Sequence, residues 1–177
     1  MKDFTPTKEK ISLHGLGFMQ IKLPANRRMH IWHPDLPRRS CFEHSAIHNH
    51  RFSFRSTVLI GTQVNRGYMV RANEFGGHDR ISHDGPRSEK GGRLSYVAER
   101  VEVFHLYDRQ YEAGDSYIMQ RLDYHATPNS GIVVTIMEKL EEGDVHASSL
   151  ITHGQGFDRF QLSEDELWRL AMEALRS

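Results

Sequence analysis

Two histidines one residue apart, His48 and His50, stand at the head of the aromatic and β-branched run Phe52-Ser53-Phe54-Arg55-Ser56-Thr57-Val58-Leu59-Ile60. Side chains two apart on an extended chain point to one face, so the two imidazoles project side by side. Phe52 and Phe54 share that face, while Arg51, Ser53 and Arg55 point the other way and are not assigned to substrate. The histidine face is therefore the apolar one, and imidazoles turned toward a core need partners for their ring nitrogens. A shared metal ion satisfies two rings at once; ordinary strand packing is the alternative. A third ligand elsewhere in the chain decides between them.

The elements that must position these residues are short strands. Gly17 to Leu23 alternates, Pro24-Ala25-Asn26 reads as a turn, and Arg28 to His33 alternates again after a polar lead-in. His30 and His33, beside Trp32, read as packing or surface histidines. Thr62 to Val70 is a further strand. Residues 71–93 carry five glycines, Pro86 and many charges, which predicts a long surface loop with His78-Asp79 and His83-Asp84 as solvated polar groups. Strands are expected again at Leu94–Ala98, Val101–Tyr107, Ser116–Gln120, Gly131–Lys139 and Val145–Thr152, with a turn at Tyr111–Asp115. The one convincing helix is C-terminal, over 163–176. Ser163-Glu164-Asp165-Glu166 has the form of a capping box, and Leu167, Leu170, Ala171, Ala174 and Leu175 make one apolar stripe. Many short strands, glycine turns and one terminal helix predict an all-β sandwich or barrel with the helix packed outside.

A chain of 177 residues is read as a single domain, its barrel spanning roughly 15–155. Its 23 basic and 23 acidic residues balance without long blocks, which argues against a nucleic-acid or anionic-membrane partner. The lone Cys41 excludes an intramolecular disulfide framework. With neither a secretory signature nor an apolar run long enough to span a bilayer, a cytoplasmic location is expected. Only the 12 histidines stand out in the composition.

The segment from Gly114 to Asn129 places His125 after a Gly-Asp turn, three residues before Pro128 and four before Asn129. It resembles the second signature of the cupin superfamily, G(x)5PxG(x)2H(x)3N: Gly114, His125 and Asn129 fall at its spacing, with Gln120 and Leu122 in place of the proline and glycine. The first cupin signature, G(x)5HxH(x)3-4E(x)6G, lies on the earlier stretch. His48, His50 and Gly61 match it, while Phe42 replaces the leading glycine and Phe54 the glutamate. The resemblance implies a double-stranded β-helix of jelly-roll form, with a metal held centrally by His48, His50 and His125. It also makes a homodimer the expected assembly.

The absent glutamate points to three neutral imidazoles on a divalent ion, leaving its charge and up to three coordination positions for an anionic substrate plus dioxygen or water. That suits non-heme iron(II), with zinc, nickel or manganese as other candidates. The cysteine dioxygenase-like branch of the superfamily similarly lacks the glutamate. His44 and Asp123 share strand parity with His48 and His125 and are candidates for a fourth ligand or for a hydrogen bond to one. Tyr117, Met119 and Tyr124 are read as pocket lining or barrel packing, and Tyr124 and Asp123 are the candidate acid and base. The function expected is an iron(II) dioxygenase acting on a small thiol or small anion. The alternatives are a metal-dependent isomerase or lyase on a small sugar or acid, and a non-catalytic ligand-binding barrel.

Overall fold

The computed structural model describes residues 10–36, 46–83, 96–155 and 162–177. Within them, strands run in chain order as β1 (Ile11–Leu13), β2 (Met19–Leu23), β3 (Arg27–Trp32), β4 (Phe52–Ile60), β5 (Gln63–Ala72), β6 (His78–Ser82), β7 (Tyr96–Tyr111), β8 (Ser116–Met119), β9 (Tyr124–Ala126), β10 (Val133–Glu142) and β11 (Ser148–Thr152). Helix α1 (Glu164–Ala174) follows. The strands form two curled antiparallel sheets, ordered β1-β2-β3-β10-β4-β8 and β11-β6-β7-β5-β9. The fold is all-β and barrel-like, with one C-terminal helix.

Period-two alternation gives the first sheet two apolar faces with different duties. Met19, Ile21, Met29, Ile31 and Val134 face outward and pack with Leu167, Leu170, Ala171 and Ala174 of α1. Burying each such leucine contributes about 1.5–3 kcal/mol, which is what holds the helix on the sheet. Ser163 caps that helix by accepting a hydrogen bond from the Glu166 amide at 3.3 Å. The opposite face carries Trp32, Val133 and Phe18 in one cluster and Phe52, Phe54, Tyr117, Met119 and Met137 in another.

The second sheet is drawn together by the segment before β4. His48 bridges His125 of β9 and Ser149 of β11, the two edge strands. The Asn49 amide donates to Ser148 O and the Leu150 amide to Ile47 O. Residues 46–50 thus tie edge to edge and remove the exposed ladder an open sheet would present. The sheet wraps a small core of its own, with Ile47, Val101, Ala126 and Leu150 at its centre and Tyr68 and Tyr124 packed against it.

Three expectations need correction. The lead-in is not polar throughout: Ile11 and Leu13 form β1, buried against α1, so the first sheet begins before residue 15. Residues 71–93 are not one surface loop, because His78–Ser82 is β6, hydrogen-bonded on both sides by β7 and β11. Asp79 is buried there and accepts from His153 Nδ1 at 2.8 Å, so it is not a solvated loop carboxylate. Pairing with two neighbours stabilises a strand whose sequence supplies only Ile81 to the core. Of residues 94–107, read as two strands, 96–107 belong instead to the single long β7, whose register against β6 shifts at Arg80/Ile81 and against β5 at Gly67/Tyr68. Residues 84–95 lie outside the described residues, as do Cys41 and His44.

Two positions in the metal-signature blocks are set by backbone geometry. Gly61 has φ +75, and a Cβ there would stand 2.2 Å from the Ile132 carbonyl oxygen. Leu122 sits at φ 66, a left-handed conformation, at the place where the cupin signature carries glycine. Gly61→Ala is therefore expected to cost about 2–4 kcal/mol, through strain and collision with backbone. Leu122→Gly is expected to be neutral or to gain up to about 1 kcal/mol, relief of strain outweighing the added unfolded-state entropy. Urea denaturation of the two variants measures both.

Candidate metal centre

Segment 46–50 meets β9 through a reciprocal pair of backbone bonds: His48 N donates to His125 O at 3.0 Å and His125 N to His48 O at 2.9 Å. Residues paired this way across antiparallel chains put their side chains on the same side, about 5.5 Å apart at Cα. His50 follows by alternation, and its carbonyl accepts the Leu122 amide at 2.8 Å. Ser53 Oγ accepts the Arg121 amide at 3.1 Å. The turn that launches β9 is in this way fastened to the start of β4. Ser53, expected to point outward, is buried beneath that turn.

The outcome is a cluster of three imidazoles, His48, His50 and His125, whose ligand nitrogens all lie within 4.8 Å of one another. His50 Nε2 and His125 Nε2 are 3.1 Å apart. A divalent ion about 2.1 Å from two nitrogens holds them about 3.0 Å apart at a right angle and about 3.4 Å apart at the tetrahedral angle. The observed separation falls between those limits, so the pair already has coordinating geometry.

Two of the rings are oriented from behind. His48 Nδ1 donates to the Ala46 carbonyl at 3.0 Å and His125 Nδ1 to Asn65 Oδ1 at 2.9 Å. Each bond places the proton on Nδ1 and turns a bare Nε2 to the centre, the arrangement that outer partners give metal-bound histidines. Burial is the main reason the His48 imidazole falls from its ordinary 6.5 to about 4, against a small upward pull from the Ala46 carbonyl. Burial, followed by the mutual repulsion of the imidazoles, holds His50 and His125 well below their usual value as well. All three are neutral at pH 7, the form in which an imidazole can take a metal.

The centre opens into a cavity of about 30 Å³, room for an ion and one small ligand. Phe18, Trp32, Phe54 and Met137 make its apolar wall, and His30, Ser56, Gln63, Tyr117, Thr127 and Thr135 its polar one. Among the described residues no carboxylate, lysine or arginine lines it. Four buried polar atoms without a hydrogen-bond partner among the described residues belong to this wall: His30 Nε2, Trp32 Nε1, Gln63 Oε1 and Thr135 Oγ1. Such groups are costly unless something bonds to them, so their convergence fits an ion with ligands of its own. The Tyr117 hydroxyl is pushed up to about 12 by burial, opposed by its bond to Ser56, and keeps its proton.

The expected catalytic pair is not at this cavity. Tyr124 alternates with His125 and packs in the second sheet's own core, its hydroxyl 2.6 Å from Ser148 Oγ. Asp123 is exposed, its carboxyl raised somewhat by partial burial, and its amide donates to Gln120 O. Neither lines the cavity: Tyr124 lies on the side of β9 opposite His125, and Asp123 belongs to the exposed turn before the strand. Arg51 and Arg55 face outward and pair with Glu142 and Glu138. Asn129 accepts the Val64 amide at 2.9 Å, pinning the start of β5 beside Asn65. His33 packs away from the site, but His30 lines it, contrary to its reading as packing or surface. Asn65 and Gln63 were not singled out from the sequence. Their signal lies in the alternation Gln63, Asn65, Gly67, where uncharged polar residues recur on the buried side of β5.

Comparison with known protein families, with curated proteins and with solved structures finds no match for the chain.

Asn65→Leu, which leaves His125 Nδ1 without its acceptor, is expected to weaken divalent-metal affinity by about 10–100-fold with the fold retained, as measured by competition with a chromogenic chelator. The depressed imidazoles also set an acid limit on the metal-free protein. Their unfolded-state value is 6.5 and the folded value of His48 is about 4, so the unfolded chain binds more protons throughout that interval. Stability is full above pH 6.5 and falls as pH drops toward 4, by up to about 1.4 kcal/mol per pH unit for each imidazole. Denaturation midpoints measured from pH 8 to pH 4 check the sign and the slope.

Proposed function

We propose that the chain is a cupin-like metalloprotein and a non-heme iron(II) dioxygenase for a small thiol or small anionic metabolite. The observation that carries this reading is the convergence of three neutral imidazoles, two of them locked by Asn65 and Ala46, on a cavity walled by uncharged groups. His48, His50 and His125 are the residues that would hold the ion, and iron(II) there would supply redox chemistry with dioxygen.

The remaining work falls to the chain's own groups. Phe18, Trp32 and Phe54 exclude bulk water and lower the local dielectric, which strengthens every polar contact inside. Tyr117, protonated across the neutral range, is a hydrogen-bond donor toward a ligand oxygen and not a base. Thr135 and His30, directly opposite each other on β10 and β3, offer orienting hydrogen bonds from the far wall. An isomerase or lyase mechanism using Tyr124 and Asp123 is less well supported, since both groups lie away from the cavity. Chemistry centred on a redox metal requires no carboxylate base there.

Protein prepared without chelator and reconstituted anaerobically with iron(II) is expected to bind one ion per chain and to consume oxygen with cysteine-like thiols. His48→Ala and His125→Ala should each lose the metal and the oxygen uptake. Zinc or nickel binding with no oxygen consumption would shift the reading to hydrolytic or isomerase chemistry. A wild type that takes up no metal, and a His48→Ala variant of unchanged stability, would leave a non-catalytic barrel.

A further inference from the structure

The metal cavity is too small for a molecule of more than a few heavy atoms, and its described lining has no cation to recognise an anion. A second concavity, of about 210 Å³, lies on the same face of the first sheet, and Met137 belongs to the walls of both. The two lie end to end along the strands, with Arg28 directly opposite Met137 and His30 opposite Thr135 across β3 and β10. Arg28 is two residues before His30 on β3, Lys139 two after Met137 on β10, and Phe52 two before Phe54 on β4, each step about 7 Å. The Phe52 ring stands between them, its centroid 5.2 Å from that of His50 and 5.8 Å from Arg28 Cζ.

Four cations line this mouth: Lys22, Arg27, Arg28 and Lys139. Lys22 and Arg28 are directly opposed across the β2–β3 hairpin, a like-charge pairing that costs stability. The turn between them, with Ala25 and Asn26 both at positive φ, has the tight hairpin form that fixes this register. The hydrogen bonds of the two arginines go to neutral groups, Arg28 Nη1 to Gln20 Oε1 at 3.2 Å and Arg27 Nε to the Pro24 carbonyl at 3.3 Å. Lys139 is held by Glu142, which also takes Arg51. Burial, then the nearby Arg51, lowers the Arg28 guanidinium from its ordinary value. An oxyanion in the concavity would relieve the opposed pair and accept charge-assisted hydrogen bonds from both arginines.

We propose that this basic mouth recognises the carboxylate or phosphate of the small molecule whose other end reaches the metal past the flexible side chain of Met137. The placement of that other end rests on the metal-centre reading above; the anion site itself does not.

Phosphorus NMR of inorganic phosphate, titrated against the full chain with and without manganese(II), tests both parts. Phosphate is expected to bind the metal-free protein saturably. Arg28→Gln should weaken it by about tenfold or more, and Lys22→Gln, an exposed change that keeps the test open if the first variant does not fold, should weaken it less. Arg55→Gln, outside the concavity, should leave it unchanged. With manganese(II) bound, the phosphate signal should relax faster in the wild type, and His48→Ala should abolish that effect while keeping phosphate affinity. Acetate as competitor separates the two oxyanions: displacement of phosphate assigns a site open to carboxylates, and failure to displace assigns a phosphate site. Non-saturable binding, or binding indifferent to Arg28 and Lys22, overturns the anion site. Saturable binding with no relaxation effect in manganese-loaded protein overturns its link to the metal. Uptake of phosphate but no manganese would instead count against the metal centre, with the Arg28 dependence standing as the separate readout.

Discussion

The reciprocal backbone pair between His48 and His125 is the constraint on which the rest of this structure turns. Two hydrogen bonds of 3.0 and 2.9 Å join residues far apart in the chain and commit both side chains to one face. The same short segment reaches β11 on its other side, so the contact that brings the imidazoles together also closes the second sheet. Site and fold are thus coupled. A change that loosened this segment would open the edge of a sheet and scatter the imidazoles together.

The coupling explains why polar groups are tolerated at the centre of an apolar barrel. His48 and His125 satisfy Nδ1 on the Ala46 carbonyl and Asn65, His50 Nε2 and His125 Nε2 lie 3.1 Å apart, and the three rings are close enough together to hold a divalent cation. The apolar wall serves the same end. It keeps the imidazoles neutral by denying them the solvation that a protonated ring needs, and a neutral imidazole is the form that ligates. Charge is moved one row outward, to the mouth where Lys22 and Arg28 face each other. An uncharged interior thus lies behind a cationic rim, and Met137, long and unbranched, lines both.

Local pattern served well where one face of an element is buried. The alternation through Arg27–Trp32 and Val133–Glu142, the capped helix after Ser163, and the shared face of His48, His50, Phe52 and Phe54 were all legible, because period and side-chain chemistry agree there. It failed at β6, where a strand of His, Asp, Arg, Ile and Ser is stabilised by neighbours on both sides and not by its own apolar content. It failed also around β9, only three residues long, where Tyr124 enters the second sheet's core and Asp123 stays in the exposed turn before the strand.

The residue types by themselves determined that imidazoles 48 and 50 share an apolar face, that β-strands dominate, and that one amphipathic helix closes the chain. These follow from spacing along a single segment, which backbone geometry converts directly into direction. Only the tertiary structure decided that His125 meets the other two, that Asn65 stands behind it, and that His30, Gln63 and Thr135 converge from three strands on one small cavity. Those relations join residues remote in sequence through strand register, and register is fixed by packing across the whole barrel.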